Sequence, residues 1–199
     1  MTTAQSVVTP ERYATGIGSF QEWMGVITQR QAEFQRHYDE YTPKPEDVEF
    51  FKQQVAARGV KALVMGEDWC PDVWRGLPTI AKLGEQSGME VRYFVKDNNK
   101  DIMAEFLNRG EFESVPTIVF YDADMKYLGH WIERAKLADA EMATVRATIM
   151  PPADQMPERD TPEWNDLQAK SREAMIVAAD PWRHAEVAEF RDLLNGAAA

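Results

Sequence analysis

Apolar side chains recur at helical spacing near the start of the chain. From Ser19 onward, one face of a predicted helix collects Phe20, Trp23, Met24, Ile27, Phe34 and Tyr38. Ser19 and Glu22 have the spacing of a capping box, which predicts that the helix starts at this serine. Two prolines in the segment 42–45 then interrupt the pattern, because the residue before a proline disfavours helical backbone. We expect a second helix to follow and to end at Gly59.

Beyond Gly59, short apolar runs alternate with helical segments. The predicted order is strand, helix, strand, helix, a hairpin of two strands, and helix, at 60–65, 71–86, 90–96, 101–108, 116–121 with 126–131, and 133–149. Strands that alternate with helices and end in a hairpin predict an α/β fold, with a mixed sheet and helices on both of its faces.

Prolines at 151 and 152 predict a linker, and two more helices follow it. The first starts at Thr161, and we expect Asp180 to cap the second, with Pro181 in its first helical position. These patterns divide the chain into an N-terminal helical extension at 1–44, an α/β domain at 45–150 and a C-terminal helical extension at 151–199. The apolar stripes of the extensions fit either a monomer or a homodimer.

The net charge of the chain limits the classes of partner that we expect. The 199 residues carry a formal net charge of −11, and 44% of them are hydrophobic. Phosphate binding needs clustered Lys and Arg, so the acidic balance argues against nucleic acid and against an anionic membrane surface. No apolar run approaches the ~18 residues of a membrane span. The N-terminal residues lack a basic stretch followed by an apolar run, and we therefore expect a cytoplasmic protein.

The chain contains one cysteine, Cys70. A single cysteine excludes an internal disulfide and any metal site built on cysteine pairs, and we expect no metal. Cys70 lies between a predicted strand and a predicted helix, where unpaired backbone N–H groups and the helix dipole stabilise a thiolate. Cys70 is thus a candidate nucleophile. Asp72 opposes a thiolate from the first helical turn, and the two effects leave the direction of the thiol pKa open.

Three spaced features resemble the thioredoxin family. They are Trp69-Cys70, then Pro78 inside the following helix, then Val115-Pro116-Thr117 at the start of a strand. The resemblance spans 45–149 and implies a thioredoxin-like fold with a mixed four- to five-stranded sheet. It also implies that Cys70 is the nucleophilic position, flanked by Trp69, and that Pro116 is cis and faces the cysteine. Val115 and Thr117 would then offer backbone groups to a peptide or thiol.

The sequence departs from the family pattern close to the cysteine. We expect Pro71, Asp72 and Val73 to complete the surface that contacts substrate, yet Val73 stands where the family has its second cysteine. No other cysteine replaces it to resolve a mixed disulfide. Val64 stands where the family usually has a buried acid. We interpret the other acids here conservatively: Glu67 and Asp68 as charges that solvate a strand end, and Asp72 as a charge that favours a helix start.

Two functions follow from these residues. The first is a monothiol thiol-disulfide oxidoreductase with a role in cell redox homeostasis. It would act on a protein disulfide, a peptide or a small thiol, with no cofactor beyond a co-substrate such as glutathione, and it predicts a pKa for Cys70 well below ~8.5. The alternative is a redox-inactive module that binds a peptide or another subunit. A dimer bridged by an iron–sulfur cluster ranks below both, because Cys-Pro-Asp-Val is unlike the loops associated with that use.

Overall fold

The computed structural model describes residues 6–196, which form helices and one β-sheet. The helices are α1 (Pro10–Ala14), α2 (Phe20–Val26), α3 (Gln31–Glu40), α4 (Pro45–Arg58), α5 (Pro71–Ser87), α6 (Lys100–Met103), α7 (Lys136–Ala147), α8 (Pro162–Val177) and α9 (Ala179–Leu194). The strands are β1 (Lys61–Gly66), β2 (Glu90–Val95), β3 (Thr117–Tyr121) and β4 (Tyr127–Ile132). Among the described helices, none is long and apolar enough to cross a membrane.

The sheet is mixed, as the order of strands and helices predicts. Its strand order is β2-β1-β3-β4, with β1 and β2 parallel and the other neighbours antiparallel. A single bridge extends the sheet at its β2 edge, where Ile17 N donates to the Tyr93 carbonyl at 2.8 Å and Tyr93 N donates to the Ile17 carbonyl at 3.0 Å. The crossover from β1 to β2 passes through α5, the helix that begins directly after Cys70.

Helices cover both faces of this sheet. On one face, the Phe120 ring of β3 lies 6.4 Å from the Phe51 ring of α4 and 5.5 Å from the Phe190 ring of α9. On the other face, the Arg12 guanidinium of α1 lies 5.6 Å from the centre of the Phe94 ring of β2. The strand register places Phe94 and Phe120 on opposite sides, because neighbouring residues in a strand alternate between faces.

The predicted helix that starts at Ser19 is wrong in one respect: it is two helices. The start is confirmed, since Glu22 N donates to Ser19 Oγ at 3.1 Å. The helix then stops at Ile27, whose backbone is extended, and α3 begins only after Arg30, which has a φ of 64°. The apolar spacing continues through the break, so periodicity alone does not show it. The carboxylate of Asp68 supplies the acceptors for the residues that form this break.

Other boundaries differ from the sequence prediction for local reasons. The second C-terminal helix, α9, begins at Ala179 immediately after α8, so Asp180 lies in its first turn and does not cap it. The predicted helix at 101–108 ends at Met103, where Glu105 N and Phe106 N donate to carbonyls three residues back, and residues 108–112 form a separate turn. The five-residue helix α1 was not predicted, since it is too short to show periodicity.

The helical extensions share the core of the central sheet. Side chains from the N-terminal helices (Phe20, Trp23, Phe34), the sheet (Val64, Ile118, Phe120) and α9 (Val187, Phe190) belong to one cluster of buried apolar residues. A smaller cluster formed by Ala138, Ala179 and Trp182 lies between α7 and α9. The hydrophobic core therefore continues across positions 45 and 150 of the sequence.

Candidate functional site

Cys70 occupies the N-cap position of α5 with extended backbone, at a φ of −89° and a ψ of 120°. Its Sγ donates a hydrogen bond to the Val115 carbonyl oxygen at 3.4 Å. The peptide bond between Val115 and Pro116 is cis. The fold thus brings together the two motifs that the sequence keeps far apart.

Several effects set the pKa of the Cys70 thiol, and burial is the largest. Burial raises the pKa above its ordinary value, and the negative charge of Asp72 raises it further. The backbone N–H groups of Val73 and Asp72, together with the positive charge of Arg134, lower it. Burial outweighs them, so the pKa is raised, whereas a monothiol nucleophile was expected to have a lowered one.

Asp72 is held by two arginines. Its Oδ1 accepts from Arg75 Nη2 at 2.8 Å, and its Oδ2 accepts from Arg134 at 2.9 Å from Nε and 2.7 Å from Nη2. Asp72 and Arg75 are both buried, and such a pair keeps its geometry because an unpaired buried charge is costly. The carboxylate therefore ties α5 to the segment after β4, a role beyond the helix-start charge predicted for it. Nothing in the sequence pattern pairs Arg134 with Asp72.

The two acids before the cysteine also bind backbone, which corrects their interpretation as solvating charges. Asp68 accepts from Thr28 N at 2.8 Å, Thr28 Oγ1 at 3.1 Å, Gln29 N at 3.3 Å and Gln29 Nε2 at 3.0 Å. Burial opposes ionisation of Asp68, but these hydrogen bonds outweigh it and lower its pKa. Glu67 is buried and accepts from Asp97 N at 2.7 Å, and burial raises its pKa. Both acids therefore fix the loop that leads to Cys70.

The remaining predicted site residues divide into exposed and buried groups. Trp69 is 52% exposed, and Lys96 Nζ lies 5.9 Å from the centre of its ring. Pro71 is exposed as well, beside the half-buried Cys70. The side chains of Val73, Val115 and Thr117 are buried. Thr117 lies in β3 between two strands, and its hydroxyl donates to the Ser114 carbonyl at 2.8 Å.

Sequence reasoning missed a buried acid beside the cis-proline. Glu186 of α9 is fully buried, and burial raises the pKa of its carboxyl to about 8. A Cβ added to Gly76 would lie 3.0 Å from Glu186 Oε1 and 3.1 Å from Pro116 Cγ, so α5 needs glycine here for the three residues to meet. Val64, where the family usually has its acid, is buried and apolar. An acid that lies between apolar helix positions gives no sequence signal of burial.

A cysteine at the start of a helix, within hydrogen-bonding distance of the loop that leads into an inner strand of a mixed sheet, is the arrangement of a thioredoxin-like protein. The family model described as thioredoxin matches residues 17–147, and the chain belongs to the thioredoxin family. The match begins within the predicted N-terminal extension. No curated protein sequence matches the chain significantly.

Two solved structures are similar to nearly the whole chain. A protein of unknown function from Pseudomonas aeruginosa has a TM-score of 0.63 and 18% identity, and the alignment covers 96% of this chain and 99% of that one. An HIV epitope scaffold has a TM-score of 0.60 and 20% identity, with 98% of this chain and 100% of that one covered. At such identities, both likenesses show the fold alone. The shared fold includes the helical extensions.

Proposed function

We propose that this protein is a monothiol thiol-disulfide oxidoreductase that uses Cys70 as its single nucleophile. The observation that carries the proposal is the position of Cys70 Sγ, half-buried at the start of α5 and 3.4 Å from the Val115 carbonyl oxygen. The backbone N–H groups of Asp72 and Val73 favour negative charge on the sulfur. Exposed Trp69 and Pro71 flank the thiol and offer an apolar surface to a substrate.

The reaction takes two exchanges. In the first, the Cys70 thiolate attacks one sulfur of a substrate disulfide, a mixed disulfide forms, and the other sulfur leaves as a thiolate. In the second, a thiolate from solution attacks the substrate sulfur of the mixed disulfide and releases Cys70 as a thiolate. The second thiol is a small co-substrate such as glutathione, because the chain has no other cysteine. Each exchange breaks one disulfide and forms one, so no other oxidant or reductant is required.

A redox-inactive binding module is the second candidate, and a specific observation favours it. Burial raises the pKa of Cys70, which leaves little thiolate at neutral pH. Val73 fills the position of the family's second cysteine and is fully buried. In this case the loop at Val115 and Pro116 and the exposed Trp69 would hold a peptide or another subunit without exchange.

The test is the formation and release of a mixed disulfide on the folded protein. Intact-mass spectrometry after incubation with oxidised glutathione should show one glutathione adduct, and the rate should rise as pH approaches the raised thiol pKa. Addition of reduced glutathione should remove the adduct. The matched variant Cys70→Ser should form no adduct under any of these conditions.

The same protein unfolded in urea provides the reference for an unshielded thiol. Reaction of the folded protein at a rate comparable with the unfolded chain supports the oxidoreductase. If the unfolded chain forms the adduct and the folded chain forms none at pH 9, the thiol is shielded, and the binding module is the better description.

A further inference from the structure

A cavity of about 180 Å³ lies between α3, α5, α7 and α8. Pro71 and Trp74 line its α5 side, and Pro71 directly follows Cys70 in the chain. The other walls come from α3 at His37, from α7 at Met142 and from α8 at Met175, with further residues from the same helices. The C-terminal extension thus builds a pocket close to the cysteine, and apart from Pro71 its lining residues have no part in the proposed exchange chemistry.

The charged residues that line the cavity are basic. They include three arginines, Arg75, Arg146 and Arg172, and no aspartate or glutamate. The chain as a whole has 33 acidic and 22 basic side chains, so a wall with arginines and no carboxylate runs against the average composition. Among the ion pairs of residues 6–196, none includes Arg146 or Arg172. Arg146 and Arg172 therefore line the cavity without a carboxylate of the described residues within 4 Å of their guanidinium groups.

Two further donors of the lining residues also lack partners. Arg75 gives its Nη2 to Asp72, but its Nε is buried and has no hydrogen-bond partner among the described residues. Gln168 Nε2 is also buried and has no hydrogen-bond partner among the described residues. A buried donor without an acceptor is unfavourable. Both atoms are covered by other protein atoms, so they add to the positive polarity of the wall without contacting a ligand directly.

Apolar side chains form the rest of the wall. Trp74, Met142, Met175 and Ile176 line the cavity together with the basic groups. Guanidinium groups bind carboxylate and phosphate oxygens through paired hydrogen bonds, and thioether and indole groups pack against apolar ligand atoms. We propose that this cavity binds a small organic anion, with its carboxylate or phosphate head group at Arg146 and Arg172 and its apolar body against the methionines and Trp74.

The proposed site does not depend on the thiol. Cys70 is not among the lining residues, and the charges that recognise the anion belong to α5, α7 and α8. A Cys70→Ser variant should therefore bind the anion with the affinity of the parent protein. Loss of the exchange activity and loss of anion binding are separate outcomes, so each proposal can fail without the other.

The test compares three probes with the same phenyl group by isothermal titration calorimetry at low salt. Phenylacetate carries the carboxylate, phenylacetamide is its neutral isostere, and phenyl phosphate carries the alternative head group. We expect phenylacetate to bind at least tenfold more tightly than phenylacetamide. Tighter binding of phenyl phosphate than of phenylacetate would assign a phosphate head group, and the reverse order a carboxylate.

Variants then locate the site. The double variant Arg146→Gln with Arg172→Gln should weaken phenylacetate binding about tenfold or more and leave phenylacetamide unchanged. Lys52→Gln removes an exposed cation of α4, away from the cavity, and should have no effect. Both arginines are accessible at the surface, so the fold should tolerate their replacement. Equal affinity for the acid and the amide, or an equal loss in Lys52→Gln, would overturn the proposal.

Discussion

At the scale of single residues, Cys70 shows what sequence reasoning reaches and where it stops. The sequence alone places the thiol at the start of a helix and places Asp72 in the first turn as an opposing charge. It gives neither the burial of the sulfur nor the approach of Arg134, because both come from segments distant in the chain. The direction of the thiol pKa was therefore open until the tertiary contacts were known.

Removal of one charge at a time near the thiol gives a paired prediction. Arg134 lowers the pKa of Cys70, so Arg134→Gln should raise it, while Asp72 raises the pKa, so Asp72→Asn should lower it. The two shifts should therefore have opposite signs. The rate of alkylation by iodoacetamide as a function of pH measures the thiol pKa in each variant. Asp72→Asn also leaves Arg75 without its buried partner. We therefore expect this variant to lose on the order of 3 kcal/mol of stability.

The opposite signs are the control in this experiment. A general loosening of the site would expose the sulfur to water, so it would speed alkylation and lower the pKa of Cys70 in both variants. Shifts of the same sign in Arg134→Gln and Asp72→Asn would contradict the assigned electrostatics.

At the scale of elements, α9 connects the C-terminal extension to the site. The spacing of Val187, Phe190 and Leu194 places them on one face of the helix, and these three side chains are buried. Glu186 lies on the same helix and was not predicted to be inside, because an acid is rarely buried without a charged partner. Gly76 of α5 leaves the space that admits it. A pattern of apolar positions can thus predict which face of a helix packs, but not which polar residue the partner helix accommodates.

The pH dependence of stability should report this carboxyl. Burial raises the pKa of Glu186 to about 8 despite the nearby positive charges of Arg75 and Arg183, and Asp72 and Glu189 add to the rise. An unfolded chain ionises the group near its ordinary pKa of 4.5, so the native state retains the proton over a range where the unfolded state does not. Stability is then full below the ordinary pKa, falls as pH rises and levels off above pH 8. The loss should be on the order of a few kcal/mol.

Urea denaturation from pH 4 to pH 9 measures the loss of stability that Glu186 is expected to cause. Glu186→Gln has no proton to lose, so its stability relative to the parent protein should rise across this range. Glu111→Gln, at an exposed position, should follow the parent curve at every pH. Parallel curves for Glu186→Gln and the parent would show that Glu186 does not retain a proton in the native state.

At the scale of the whole molecule, the predicted α/β class and the mixed sheet are confirmed. They could be predicted because the spacing of apolar residues differs between strands and helices. The sharing of one core by the sheet and both extensions was not predictable in the same way. Linker prolines at 151 and 152 suggest separation, whereas the Phe190 ring of α9 lies 5.5 Å from Phe120 and 5.2 Å from Trp131. An apolar stripe predicts that one face of a helix is buried, but it does not predict which element covers that face.

One core implies one cooperative unfolding transition, and Phe190→Ala tests this. The Phe190 ring of α9 is fully buried against β3 and β4, so its truncation should cost about 3–5 kcal/mol of stability. Phe112→Ala, at a position 52% exposed, should cost little. In Phe190→Ala the urea midpoint should fall equally by far-UV circular dichroism and by hydrogen exchange of peptides from β1 and α9. If α9 loses protection first while β1 keeps that of the parent protein, the C-terminal extension is a separate folding unit. Coincident transitions would instead show that α9 stabilises the sheet that positions Cys70.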